Sequence, residues 1–85
     1  MLTGIQIRIA RSALKWSAEE LAQKSDIASK TIRRIEAVKG VPNSTTKILQ
    51  RIQTVLETAG IEFIGSPDDA PGIRIHSQDP DEEDT

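Results

Sequence analysis

The sequence predicts a mainly α fold: four helices, or five with one short extra turn, then a small β-hairpin and a disordered acidic tail. Three observations carry that expectation. Apolar residues recur every three to four positions through the first sixty residues. Two capping boxes open helices within that stretch. After Gly60 the period shortens to β-branched, partly alternating runs.

The first helix is expected from Gly4 to Leu14. Thr3 and Gln6 form a capping box, Leu2 and Ile7 a hydrophobic staple, and Ile5, Ile9, Ala13 and Leu14 a core-facing stripe. Ser17 and Glu20 form a second box, with Trp16 and Leu21 as its staple, and open a short helix over Ala18 to Lys24 that Ser25-Asp26 interrupts. Apolar periodicity resumes with Ile27, Ala28, Ile32 and Ile35, which predicts a third helix ending near Lys39-Gly40. Val41-Pro42-Asn43 breaks the chain, because proline lacks an amide donor and restricts its predecessor. Asn43 or Ser44 caps the fourth helix, whose apolar face is Ile48, Ile52, Val55, Leu56 and Ala59 and whose terminator is Gly60. Two strands follow, Ile61–Ile64 and Ile73–His76, separated by turn chemistry from Gly65 to Gly72. Ser77 to Thr85 is acidic and without apolar residues, so it reads as disordered. The organisation is therefore a helical domain over 1–60, a hairpin over 61–76 and a tail over 77–85.

Eighty-five residues support one small core, and the absence of cysteine excludes both a disulfide framework and a thiolate metal site. No apolar run has the length of a membrane span, and no basic-then-apolar leader opens the sequence, so a cytoplasmic protein without membrane contact is expected. The net charge of −2 conceals a division. Residues 1–60 hold ten cations against five acids, and residues 61–85 hold Arg74 against eight acids. A polyanion would be drawn to the first part alone.

The stretch from Trp16 to Gly40 carries the functional signal. A short capped helix is followed by a tight turn at Ser25-Asp26-Ile27 and then by Thr31-Ile32-Arg33-Arg34-Ile35-Glu36. With Arg11 late in the first helix and Gly40-Val41-Pro42 beyond the third, this pattern resembles the phage-repressor (Cro-like, Xre-type) helix-turn-helix family across most of the chain. The resemblance implies a repressor-like bundle and a bacterial or phage-encoded transcriptional regulator of double-stranded DNA, associated with the nucleoid when bound. It also implies a homodimer on a palindromic operator. The sequence holds no nucleophile–base pairing and no phosphate-cradling glycine loop, so no enzymatic activity and no cofactor are expected. Carried onto these positions, the family pattern implies base reading by Ser29, Lys30 and Arg33 of the third helix, and by Arg34 either base reading or a brace on a phosphate. Ser17, Thr31, Lys39, Asn43 and Ser44 are the expected contacts to the DNA backbone. Arginine suits base reading because its fork matches the two guanine acceptors in the major groove. The resemblance further implies an ion pair between Arg11 and Glu36 that is structural. Two positions depart from the family pattern: Ala18 stands where glutamine follows the cap, and Ala28 replaces the hydroxyl that opens the third helix, with Ser29 capping one residue late.

Plainer readings stand beside these. Lys30, Arg33 and Arg34 alone would describe a solvated helix face, and only the surrounding motif turns them toward DNA. Trp16 and Phe63 are the sole aromatics, too few for stacking on single strands or RNA. His76 has no neighbouring ligand type, and the aspartate groups lack the spacing of a calcium loop. Ile61, Phe63, Ile73 and Ile75 give the hairpin enough apolar surface for a dimer interface, through edge pairing, or for a cover over one end of the helices. The alternative function is a protein-interaction module, an antitoxin or adaptor, whose acidic tail binds a basic protein partner.

Overall fold

The computed structural model describes residues 2–76; Met1 and the acidic tail expected over 77–85 lie outside the described residues. Four helices, α1 (Gly4–Ala13), α2 (Ala18–Ser25), α3 (Ser29–Glu36) and α4 (Thr46–Thr58), precede an antiparallel hairpin of β1 (Ile61–Ser66) and β2 (Asp69–Ile75). The mainly helical bundle with a terminal hairpin is as expected. Its core joins Ile7 and Ala10 of α1, Leu21 and Ala22 of α2, Ile32 and Ile35 of α3, and Leu49, Ile52 and Leu56 of α4. Ile61 closes one end, and Phe63 and Ile73 pack against the same cluster. Among the described residues no helix is long and apolar enough to cross a membrane.

Both capping boxes form. Gln6 N donates to Thr3 Oγ1 at 3.1 Å and Glu20 N to Ser17 Oγ at 3.0 Å, and each glutamine or glutamate returns to the cap amide at 2.9 Å. The α1 box does more than cap. Gln6 is buried, and its Nε2 donates to the carbonyls of Ile64 (3.3 Å) and Gly72 (2.9 Å), which fastens the hairpin to α1.

The face of α1 differs from the expected one. Ile5 and Ile9 are 36% and 45% exposed and Ala13 is exposed, whereas Gln6, Ile7 and Ala10 are buried. Residues on a helix are about 100° apart, so Ile7 lies about 160° from both Ile5 and Ile9, and all three cannot face one core. The Ile7 face wins because α1 must meet α3, α4 and β2 together. Small residues there allow the approach. A Cβ on Gly4 would sit 2.3 Å from the Ile35 carbonyl oxygen and 2.2 Å from that of Val38, and Gly4 N donates to Gly40 O at 3.0 Å. Gly4→Ala is therefore expected to lose about 1–2 kcal/mol net, overpacking outweighing the helix propensity alanine brings. Urea unfolding checks the sign, since propensity alone predicts a gain.

The same contact explains why α3 stops at Glu36 rather than near Lys39-Gly40. Ala37 caps it, Val38 N turns back to Ile35 O at 3.3 Å, and the chain beyond is committed to seating α1. Arg11 spans this junction. Its Nε and Nη2 hold Glu36 Oε2 and Oε1 at 2.8 and 2.9 Å, and its Nη1 holds Trp16 O at 2.8 Å. The Glu36 hydrogen bond holds the Arg11 guanidinium above its ordinary pKa, against the opposing effect of burial.

Lys15, just beyond α1, adopts φ +62°, with its own amide on Ser12 O (3.0 Å) and that of Trp16 on Arg11 O (3.1 Å). This is a Schellman end held by a residue with a Cβ. Lys15→Gly is expected to stabilise by about 0.5–1 kcal/mol, because the left-handed penalty removed exceeds the added chain entropy. A thermal midpoint raised by about 3–6 °C would show it. Asp26 (φ +57°) ends α2 in the same way, with Ile27 N on Ala22 O at 3.0 Å.

Further details differ from expectation. Thr45, not Asn43 or Ser44, caps α4 by accepting from Ile48 N at 3.2 Å, because Ser44 N first closes a turn on Pro42 O at 3.0 Å. Leu49 joins Ile52 and Leu56 in the buried stripe of α4. The expected loop from Gly65 to Gly72 is mostly strand: Ser66 pairs with Asp69, leaving Pro67-Asp68 as the connection, and a bulge lies between Ile64 and Ser66. Gly65 permits it at φ +75°, where a Cβ would lie 2.2 Å from Ala70 O. On the hairpin's outer face, His76 Nε2 at 2.7 Å and Arg74 alongside hold the Glu62 carboxyl below its usual range. That contribution is present above the ordinary carboxylate pKa and is lost as pH falls through the depressed one.

Candidate nucleic-acid interface

The α2–turn–α3 unit is built by burying one face of each helix. Leu21 and Ala22 of α2 meet Ile32 and Ile35 of α3, with Ile27 of the turn packed beside them. Burying Ile32, Ile35 and Glu36 leaves Lys30, Arg33 and Arg34 on the opposite, solvent face of α3. The structure thus brings three of the four expected base-reading residues together. The fourth, Ser29, is the first residue of α3 and half-buried, at the margin of that face.

Each cation is placed differently. Lys30 extends into solvent. Arg34 Nη1 donates to Asn43 O at 3.0 Å, which ties the loop after α3 back to the helix. Arg33 Nη2 contacts Glu19 Oε2 of α2, and both side chains remain more than half exposed. Glu19 is the participant that sequence reasoning passed over. Its partner is fourteen positions away and reaches it only after α2 and α3 have packed, so no local spacing signals the pair.

The start of α3 has a second property. Ala28 is its N-cap and supplies no side-chain acceptor, so the expected late capping by Ser29 does not occur. Ser29 is already the first helical residue, so its hydroxyl does not stand at the cap position, which Ala28 occupies. The backbone amides of Ser29 and Lys30 have no acceptor among the described residues. Beside them runs an open groove lined by Glu19, Glu20, Gln23 and Asp26, a side that repels polyanions. Electrostatics therefore favour approach over the Lys30–Arg34 side.

The residues expected on the DNA backbone are dispersed. The Ser17 hydroxyl caps α2 and is exposed, and Thr31 is half-buried on α3. Lys39 and Asn43 are exposed in the loop that Arg34 fastens. Ser44 Oγ is buried and unpartnered among the described residues, so in this conformation it offers nothing outward. The chain matches no family model and no curated protein.

Proposed function

We propose that the protein is a sequence-specific double-stranded DNA-binding transcriptional regulator that inserts α3 into the major groove. The observation that carries this reading is the outward face of α3. Lys30, Arg33 and Arg34 stand together on a helix whose other side is committed to the core, preceded by a short capped helix and a left-handed turn at Asp26. Phosphate contacts come from Lys39 and the Asn43 loop. Selection of bound sequences from random duplexes at near-physiological salt tests the reading. Enrichment of a palindrome with half-sites about 34 Å apart is expected. Uniform, salt-sensitive binding without enrichment would refute sequence-specific recognition.

The dimer in this proposal draws on the hairpin. His76 N donates to Gly60 O at 2.7 Å, which makes Ile61/Ile75 and Phe63/Ile73 the non-hydrogen-bonded pairs of the ladder. The backbone groups of Ile73 and Ile75 consequently point away from β1, and Ile75 is 60% exposed. A second copy of β2 pairing along this edge would satisfy those groups and cover Ile75. Removing the whole hairpin would also strip Ile61 and Phe63 from the core, so Ile75→Lys is the cleaner variant. It is expected to give a folded monomer by sedimentation. A wild-type protein that is itself monomeric at operator-binding concentrations would overturn the dimer.

A further inference from the structure

We propose that Glu19 is a specificity-determining positioning residue: from α2 it fixes the Arg33 guanidinium for one base pair and lowers the attraction of the reading face for DNA in general. The inference rests on the DNA-binding reading and deepens it.

Among Lys30, Arg33 and Arg34, Arg33 alone has a carboxylate partner among the described residues. Arg34 is held by a neutral carbonyl and keeps its full charge toward a ligand. An ion pair with 59% and 58% of its side chains exposed contributes little to folding. Its larger effect is on what the guanidinium can do. A free arginine side chain searches many rotamers and meets any phosphate oxygen as readily as a base edge. A guanidinium with its Nη2 end against Glu19 keeps other donors of its planar fork available, in a restricted orientation. Restriction favours a two-pronged contact with guanine over looser phosphate contacts. A carboxylate bordering the reading face also repels every duplex, whatever its sequence. Glu19 therefore raises discrimination by adding a cost to all DNA and returning it, through Arg33, at one base pair.

The decisive experiment measures binding of the full chain and of Glu19→Gln to the selected operator, to its single-base variants and to random duplex, over a range of salt. Glutamine preserves length and polarity at an exposed position, and circular dichroism confirms the fold. We expect Glu19→Gln to bind random duplex about threefold or more tightly, the direction set by the removed repulsion. It should lose about fivefold or more of its discrimination at a single base pair. That pair should be the one relaxed by Arg33→Ala, and the double variant should relax it no further. Tighter binding to every duplex with discrimination unchanged would overturn the proposal and leave Glu19 a surface charge. A wild-type chain that selects no sequence at all would overturn the DNA-reading function itself, a failure visible before any substitution.

Discussion

Arg11→Ala is expected to cost about 3–5 kcal/mol of stability and to leave much of the protein unfolded at room temperature. All three guanidinium nitrogens are engaged: two on Glu36 and one on the Trp16 carbonyl. The Arg11 and Glu36 side chains are only 19% and 7% exposed. Alanine would leave the Glu36 carboxylate largely desolvated with no cation, and would free the corner between α1 and α2. The loss comes from stranding a charge rather than from the intrinsic strength of the pair. An apolar double replacement, Arg11→Met with Glu36→Leu, should therefore recover much of it. Urea unfolding followed by circular dichroism measures both variants. A single-variant cost under about 1 kcal/mol would show that solvent already reaches the pair.

If the proposed DNA-binding function holds, Arg33→Ala is expected to reduce operator affinity by about 1–3 kcal/mol, with the loss concentrated at one base pair. Its side chain is exposed on α3, so the fold should survive. Two readouts separate base reading from phosphate contact. A base reader relaxes one position of the selected sequence and leaves the salt dependence nearly unchanged. A phosphate contact weakens all sequences alike and lowers the salt slope by about 0.9. Arg34→Ala should behave differently again, because Arg34 also anchors the Asn43 loop; under the proposed DNA-binding function its effect would include the phosphate contacts proposed for that loop.

What was legible in the sequence was local. Thr3-Gln6 and Ser17-Glu20 announced two helix starts because a capping box closes within four residues. Lys30, Arg33 and Arg34 were legible as one face because Ile32 and Ile35 fix where the core must lie. Helix existence and order followed from apolar spacing, and the change of period after Gly60 announced the hairpin.

The structure decided whatever depends on residues far apart in the chain meeting in space. Two isoleucine faces competed on α1, and the neighbours on α3, α4 and β2 chose Ile7 over Ile5 and Ile9. The seating of Gly4 on the carbonyls of Ile35 and Val38 set the length of α3, and Gln6 became a buried strut once the hairpin supplied two carbonyls. The pairing of Glu19 with Arg33 likewise exists only after α2 and α3 pack. Local hydrogen bonding and side-chain periodicity act over one or two helical turns, so a sequence states them directly. A choice between two equally apolar faces, or between two partners for a charge, is made by steric fit and desolvation across the whole core, and those are properties of the assembled chain alone.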